Sequence, residues 1–338
     1  MAKSVKLADI AQKLGVSTVT VSKALSDQKG VSEEMRMRIK ALANELGYMT
    51  PSALREQGEK KSYNVGVVVS QKYFKQSGSF YWLLYQEVAT RALSKNCFTM
   101  LEIISEEDEK ECNPPRLLEN DQVNGMIVIG SPENDYLDML DMISGIPFVY
   151  LDFYGEDNEK DSVISDNYFG MYKMTKYLCE LGHRKIAYLG TLFATSSITD
   201  RFFGYCKALA ENGIEIRKDY IVKDRFEDSK NMDGYDIVLP EDMPTAFACN
   251  CDVAAIVLIG KLKEMGLRVP EDISVVGFDD YTYKNEDNVE LTTYAVDVRE
   301  MAKRAIKIII KKMSGDNTIK GASIVEGRMI IRKTTREI

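Results

Sequence analysis

The feature that most constrains the fold is a regular alternation of two hydrophobic patterns from Asn64 onward. Short apolar, β-branched runs predict strands, and amphipathic stretches near 80–95, 133–143, 167–181, 198–212 and 252–266 predict helices. The predicted strands are NVGVVVS, CFTMLEII, GMIVIG, PFVYLD, SVISD, RKIAYLG, TAFACN and ISVVGF. Apolar strands joined by helices are typical of parallel sheets covered on both faces. Two blocks of this pattern within 338 residues predict two α/β lobes.

Two further strand-like segments, LTTYAV and SIVEGRMIIR, flank a helical stretch at about 298–313. We expect each segment to return to a different lobe. The predicted body is 63–338, with lobe 1 at about 63–162 and 292–321 and lobe 2 at about 163–291 and 322–338. Ligands of open α/β sheets bind at the carboxyl ends of strands, so the residues that follow strands are candidates for a binding site.

The first fifty residues carry a different pattern, with three short helical segments. KLADIAQKL has apolar residues at helical spacing and ends at Gly15; Ser17 can cap a second helix, TVTVSKAL, and Ser32 a third. A tight turn containing glycine between the first two helices is typical of a helix-turn-helix, whose second helix lies in the DNA major groove. We therefore expect an all-α headpiece over 1–50. A small helical bundle without a nucleic-acid role is the alternative that the pattern leaves open.

The distribution of charge favours the DNA-binding alternative. The whole chain has a net charge of -8, but residues 1–61 contain 11 Lys and Arg against 7 Asp and Glu, a net charge of +4. Residues 62–338 contain 33 basic and 45 acidic residues, a net charge of -12. A polyanion such as DNA would therefore bind to the headpiece rather than to the body.

The residues of the headpiece sharpen this prediction. LADIAQKLGVSTVTVSKAL and VSEEMRMRIKALANELGY closely resemble the DNA-binding headpiece of the lactose-repressor (LacI/GalR) family. The resemblance implies that Thr18 and Val19 face the bases, that Lys23 is a second reader, and that Ser17 and Ser22 donate to phosphates. Because valine offers no hydrogen bond, Val19 would contact a thymine methyl group or fit the groove by shape.

In that family, the segment after the headpiece folds into a hinge helix on operator DNA and inserts a leucine into the minor groove. The corresponding segment here, TPSALREQGEKK, lies in a predicted hinge at 51–62. The position of the family leucine falls on Gln57 or Gly58. Leu54 is the available substitute as the minor-groove wedge.

The body resembles the periplasmic-binding-protein fold of the same family, with a ligand cleft between two lobes. PFVYLD ends in Asp152, GHRKIAYLG with the downstream DRFFGY contains Arg201, and ISVVGFDD contains Asp279. The resemblance implies that these three side chains contact the effector. Their chemistry is suited to an oxygen-rich ligand, because carboxylates accept hydrogen bonds from paired hydroxyls and a planar guanidinium donates two parallel hydrogen bonds to oxygen acceptors. Phe80 and Tyr81 can stack on a sugar or base, with an ordinary core role as the alternative. For the two aspartates, helix capping is the alternative.

The chain departs from the family pattern at two places. CNCDVAA places Cys251 where the family commonly has a ligand-binding asparagine, and Asn250 beside it is expected to face the other way. The stretch DRFEDSKNMDGYDIVLPEDMPTAF is irregular where the family has a helix, although Phe226 within it is a further candidate for the cleft wall. The identity of the ligand therefore stays open.

Other classes of function have little support in the sequence. There is no dinucleotide-binding glycine motif, phosphate-binding loop, nucleophile elbow or histidine cluster, so we expect no enzyme activity, cofactor or metal. The lone histidine, His183, is expected to cap or pack. Without an export signal or an apolar run of about 18 residues, we expect a cytoplasmic protein that makes no use of a membrane.

The sequence therefore predicts a transcription regulator, and more specifically a repressor, that binds operator DNA as a homodimer and senses a small molecule, with a carbohydrate favoured. A regulator that senses a nucleobase or nucleoside and a sugar-binding protein without a regulatory role are the alternatives. A solute-binding protein would need an export signal and no headpiece, and an α/β enzyme that uses NAD or a nucleotide would need a cofactor motif.

Overall fold

A computed structural model of the chain describes residues 7–26, 30–46, 48, 62–74, 79–143, 145–155, 160–225, 237–281, 289–316 and 321–338. The chain divides into two compact units, Met1–Ser62 and Tyr63–Ile338. Within the described ranges, no helix combines the length and the apolar character needed to cross a membrane.

The described residues of the first unit form three helices, α1 (Leu7–Leu14), α2 (Thr18–Leu25) and α3 (Glu33–Glu45). Gly15 has a φ of 65°, a left-handed conformation that glycine adopts without strain, and it turns the chain between α1 and α2. The three helices enclose a small apolar core formed by Ile10, Ala11, Val21, Ala24, Ile39 and Ala43. The predicted helix-turn-helix is therefore present in the structure.

The second unit contains two six-stranded sheets. Sheet 1 has the order β11-β5-β4-β3-β1-β2, and all of its strand pairs are parallel. Its strands are β1 (Tyr63–Ser70), β2 (Cys97–Ile104), β3 (Gly125–Ile129), β4 (Phe148–Leu151), β5 (Ser162–Ser165) and β11 (Ala322–Val325). The central strands β3 and β4 are buried along their whole length, as the apolar runs predict.

Sheet 2 has the order β12-β10-β9-β8-β6-β7 and is parallel except for the antiparallel pair of β10 and β12. Its strands are β6 (Ile186–Leu189), β7 (Ile221–Val222), β8 (Ala246–Cys249), β9 (Ser274–Asp279), β10 (Thr292–Ala295) and β12 (Arg328–Ile330). The two sheets, each with its helices, form the two lobes that the sequence predicts.

Seven α-helices accompany the sheets in the parts of this unit that the structure describes. Lobe 1 carries α4 (Phe80–Leu93), α5 (Glu106–Glu111), α6 (Asn134–Ile143) and α10 (Val298–Met313), and lobe 2 carries α7 (Asn167–Glu180), α8 (Ser196–Glu211) and α9 (Asp252–Glu264). Three 3₁₀ helices lie at Gln71–Tyr73, Arg116–Asp121 and Lys218–Tyr220. The short α5 and the 3₁₀ helices have too few turns to produce a hydrophobic period that sequence analysis could detect.

The chain crosses between the lobes at places that differ from the predicted boundaries. β5 lies in sheet 1, although 163 onward was assigned to lobe 2, and β10 lies in sheet 2, although 292–321 was assigned to lobe 1. The segment SIVEGRMIIR forms two strands, one in each sheet, rather than a single strand in lobe 2. The break falls at Gly327, where an added Cβ would lie 2.2 Å from the Ala295 carbonyl oxygen. Strand pairing, which single-sequence patterns do not encode, decides these assignments.

Close approach of α7 and α8 fixes one part of lobe 2. A Cβ added at Gly204 would lie 2.1 Å from the Tyr168 carbonyl oxygen and 2.9 Å from the Tyr172 backbone nitrogen. Both neighbours belong to the α7 backbone, which cannot move aside as a flexible side chain can. Gly204 is therefore required for the packing of these two helices.

We expect Gly204→Ala to lower the free energy of unfolding by about 3 kcal/mol, because the added methyl group forces α8 away from α7. The control is Gly260→Ala in α9, where an added Cβ meets nothing within 4 Å. That variant should gain roughly 0.5–1 kcal/mol, because alanine favours the helix over glycine. Urea unfolding followed by circular dichroism measures both changes. Equal stability of the two variants would contradict the proposed packing constraint.

Candidate functional site

The second helix of the headpiece presents one polar, solvent-exposed face. Thr18, Val19, Ser22 and Lys23 are exposed on α2, and Val21 is buried on the opposite side. Val19 is 61% exposed, so its side chain is accessible to a partner. The predicted base-facing residues therefore share one accessible surface, here called the reading face.

Ser17 fixes the start of this helix. Its Oγ accepts a hydrogen bond from the Thr20 backbone nitrogen at 3.1 Å and lies 2.8 Å from Thr20 Oγ1. This N-cap orients the first turn of α2, which carries Thr18 and Val19. Contacts of Ser17 and Ser22 with phosphates stay a prediction, and Leu54 lies outside the described residues.

A cleft in the second unit is lined by residues of both lobes. Its empty volume, including the part that is open to solvent, is about 890 Å³. This is enough for a small metabolite. Six of the predicted effector residues line it: Phe80, Tyr81, Asp152, Arg201, Cys251 and Asp279. Phe226 lies outside the described residues. The structure thus brings these six side chains together, and their binding roles stay predictions.

Arg201 lies at the centre of the polar part of the cleft. Its Nε donates to Asn167 Oδ1 at 2.9 Å, and its Nη1 donates to the Asn250 carbonyl oxygen at 2.6 Å. Its Nη2 lies 3.3 Å from Asp279 Oδ1, and the guanidinium stacks 3.9 Å from the centre of the Phe278 ring. These contacts hold the planar guanidinium of Arg201 in one orientation.

Asp152 follows β4 in lobe 1 and lies opposite this arginine. Its φ of 73° bends the chain sharply, and its carbonyl oxygen accepts a hydrogen bond from Ser197 Oγ of lobe 2 at 3.1 Å. Within the described part of the chain, its buried Oδ1 has no hydrogen-bond partner. A buried acceptor without a donor is costly, so this atom is suited to a donor of a bound ligand.

Burial determines the protonation of the two cleft carboxylates. It raises the pKa of Asp152 to about 6, against the opposing charge of Arg201 and the hydroxyl of Tyr81. It raises the pKa of Asp279 to about 7, again opposed by Arg201, while the negative charge of Asp152 adds to the rise. Both carboxylates therefore change protonation near neutral pH.

Hydrogen bonds fix both Cys251 and Asn250 at the cleft. The Cys251 Sγ accepts a hydrogen bond from the Ala254 backbone nitrogen at 3.5 Å, and this thiol caps α9. Burial raises the pKa of Cys251 to about 12, so it stays a neutral thiol. Asn250 also lines the cleft, although its Nδ2 donates to the Leu189 carbonyl oxygen and to Asp224 Oδ2. Its backbone carbonyl, rather than its amide, positions Arg201.

Aromatic rings form the apolar walls. Tyr73 and Tyr81 have ring centres 4.8 Å apart, and the rings of Phe80 in lobe 1 and Tyr281 in lobe 2 meet edge to face at 6.4 Å. The Tyr73 hydroxyl donates to the Ser131 carbonyl oxygen at 2.9 Å. A flat ligand with C–H or π faces can pack against these rings.

Nine cleft residues were not among the predicted set: Tyr73, Ser79, Thr195, Ser197, Ile198, Arg225, Asn250, Val253 and Tyr281. Most of them follow a strand or begin a helix, which is the signal that could have identified them. His183 is held by Thr245 Oγ1 at 2.9 Å and Ser274 Oγ at 3.0 Å, in agreement with a packing role. Across the described ranges, no cluster of three or more His, Cys, Asp or Glu side chains is arranged to hold a metal ion.

We expect the raised pKa of Asp152 to appear in the pH dependence of stability. Between its ordinary value of 3.8 and about 6, the folded protein holds a proton that the unfolded chain releases, and this stabilisation is lost as the pH rises through 6. Asp152→Asn removes the effect, so from about pH 5 to about pH 8 the wild type should lose about 1 kcal/mol more than the variant.

Urea unfolding at the two pH values measures this difference. The control is Asp272→Asn, at a carboxyl whose pKa hydrogen bonds from Arg268 hold below the ordinary value. An Asp152→Asn variant with the same pH dependence as the wild type would show that this carboxyl ionises normally in the folded protein.

Comparison with known proteins agrees with this arrangement. The family "Bacterial regulatory proteins, lacI family" matches residues 6–51, and the "Periplasmic binding protein-like domain" matches residues 175–335. The HTH-type transcriptional repressors PurR of Vibrio campbellii and Vibrio atlanticus are 28% and 29% identical over 332 residues, which cover 98% of this chain and 98% of each relative.

Solved structures share the fold. The Lac repressor dimer bound to operator and the anti-inducer ONPF has a TM-score of 0.63 and 23% identity, covering 99% of this chain and 100% of that one. The complex of the transcriptional regulator CelR with cellobiose has a TM-score of 0.69 and 23% identity, covering 98% of this chain and 99% of that one. The chain belongs to the lacI family of bacterial regulatory proteins.

Proposed function

We propose that this regulator is a repressor whose affinity for operator DNA is controlled by a polyhydroxylated small molecule, a carbohydrate, in the cleft between its lobes. The observation that carries the proposal is Asp152, which lines the cleft with Arg201 and Asp279 and whose buried Oδ1 has no hydrogen-bond partner among the residues that the structure describes. This feature is a ready acceptor for ligand hydroxyl groups.

The reading face supports the DNA-binding half of the proposal. Val19 is exposed where a methyl contact with thymine is possible, and Lys23 supplies a positive charge four residues further along the same helix. An eight-residue helix contacts only a few base pairs, so specific binding calls for two copies. We infer a homodimer that places two reading faces on a near-palindromic operator.

The composition of the cleft supports a carbohydrate. Two carboxylates can accept from neighbouring hydroxyls, Arg201 can donate to ring or hydroxyl oxygens, and aromatic rings can pack against the C–H faces of a sugar. The CelR structure has cellobiose bound on the same fold. The aromatic pair of Phe80 and Tyr281 also suits a nucleobase or nucleoside, which is the second candidate class.

Coupling between the effector cleft and the DNA-binding headpiece is expected because both lobes contribute residues to the cleft. Asp152 and Phe80 belong to lobe 1, and Arg201, Asp279 and Tyr281 belong to lobe 2. A ligand that contacts both sets favours one angle between the lobes. In a dimer, that angle changes the spacing of the headpieces and therefore the affinity for the operator.

The reading face is tested with a duplex selected from a random library by the wild-type protein. We expect Val19→Ala to change the preferred base at one position of each half-site, and Lys23→Ala to weaken binding by about tenfold. Gel shifts over a range of salt concentrations measure both. Arg38→Ala on α3, also exposed, is the control and should leave base preference unchanged. Unaltered binding by both α2 variants would refute the assignment of the reading face.

The effector site is tested by a thermal-shift screen of carbohydrates and nucleosides, followed by gel shifts with the compounds that bind. A ligand at about 100 times its Kd should stabilise the wild type by about 2.7 kcal/mol. Arg201→Lys should lose this stabilisation, because lysine cannot reproduce the planar fork. Stabilisation by nucleosides alone would favour the second class, and an Arg201→Lys variant that responds normally would place the effector elsewhere.

A further inference from the structure

In the described part of the second unit, three short segments carry the chain between the lobes. They are residue 166 between β5 and α7, residues 296–297 between β10 and α10, and residues 326–327 between β11 and β12, here called the interlobe crossings. The Asp166 backbone nitrogen donates to the Val325 carbonyl oxygen at 3.0 Å. The Gly327 backbone nitrogen donates to the hydroxyl of Tyr294, in β10, at 3.0 Å. Hydrogen bonds therefore connect the three crossings to one another.

Asn167 begins α7 directly after the first crossing, and its side chain is buried. Its Oδ1 accepts two hydrogen bonds, from Ser165 Oγ at 2.9 Å and from Arg201 Nε at 2.9 Å. Ser165 is the last residue of β5 in lobe 1, and Arg201 belongs to α8 in lobe 2. A single buried oxygen therefore links lobe 1, across a crossing, to a guanidinium that lines the cleft.

Burial makes both hydrogen bonds of this oxygen strict constraints. Ser165 is 1% exposed, Asn167 3% and Arg201 5%, so little water can replace a broken bond, and a buried donor left without an acceptor is costly. Ser165 and Asn167 lie on either side of the crossing, so a rotation of the lobes changes the distance between their bonded oxygens. A shift of the guanidinium acts on the same Asn167 oxygen from the cleft side.

We propose that Asn167 couples the cleft to the angle between the lobes. An effector that engages Arg201 shifts its guanidinium and changes the bond between Nε and Asn167 Oδ1. The bond of that oxygen with Ser165 then changes strength, and the backbone bonds of the crossings extend the change to all three. The inference rests on the proposed function, which places the effector at Arg201. Asn167 is not among the described residues that line the cleft, so it acts through Arg201 as a positioning residue.

A double-mutant cycle on the ligand-free full chain tests the link through this oxygen. Ser165→Ala removes the lobe 1 hydroxyl, and Arg201→Lys removes the Nε donor. We expect the two changes to be non-additive by at least about threefold in the equilibrium constant of urea unfolding, because both act on one acceptor. Ser162→Ala on the same strand is the matched control. Its Oγ is buried and has no hydrogen-bond partner among the described residues, so it should combine additively with Arg201→Lys.

Hydrogen exchange, followed by mass spectrometry of short peptides, measures the effect on the crossings. Ser165→Ala should raise the exchange rates of the Asp166 and Gly327 amides by about fivefold, as expected from the loss of one buried hydrogen bond. Amides in the central strands of both sheets should keep their wild-type rates, and Ser162→Ala should change none of them. If Arg201→Lys fails to fold, this comparison of the two serine variants decides alone.

Additive effects of Ser165→Ala and Arg201→Lys would overturn the proposal. Exchange that rises evenly throughout both sheets, or that is the same in the two serine variants, would also overturn it, because Ser165 would then have only a general structural role. Gel shifts with the selected duplex separate this inference from the proposed function. Non-additivity and faster exchange at the crossings, combined with an operator affinity that no compound of the thermal-shift panel changes, would support the role of Asn167 and contradict the effector-controlled repressor.

Discussion

The buried guanidinium of Arg201 is the interaction on which the cleft depends. It ties together the start of α7 through Asn167, the end of β8 through the Asn250 carbonyl, and the end of β9 through Asp279. Its own element, α8, carries Ser197 in its first turn, and Ser197 Oγ donates to the Asp152 carbonyl oxygen in lobe 1. Loss of one partner of a buried charge leaves the other uncompensated, so this network fixes the geometry of the polar part of the cleft.

The fold was largely predictable because its signals are periodic. Continuous apolar strands, amphipathic helices and the glycine turn after α1 each follow from local physical rules, and the computed structure contains all of them. The lobe boundaries were not predictable, because β10, β11 and β12 are placed by pairing with distant strands. A strand of three or four residues has the same apolar pattern in either sheet, so the pattern cannot tell which sheet the strand joins.

The candidate site was predictable where a residue follows a strand or belongs to a sequence motif that resembles the family, as for Asp152 and Asp279. Arg225 and Tyr281 also follow strands, but an arginine or tyrosine at such a position is equally compatible with an ordinary surface loop, so position alone did not single them out. Asn250 was expected to face the other way from Cys251. Its side-chain amide donates to the Leu189 carbonyl oxygen and to Asp224, whereas its backbone carbonyl accepts from Arg201, a contact that a side-chain pattern does not predict.

The position of Asp152 suggests how ligand binding acquires an effect on the lobes. Its buried Oδ1 has no donor within the described residues, and burial raises the pKa of the carboxyl. A ligand that supplies a donor relieves this desolvation cost. The carboxyl belongs to lobe 1, whereas Arg201 and Asp279 belong to lobe 2, so a ligand that uses all three gains this energy only at a lobe angle that brings them together. A ligand shifts the equilibrium between two lobe angles only by the difference in its affinity for them. A contact that forms at one angle alone provides that difference, and a change of lobe angle can in turn act on a DNA-binding headpiece.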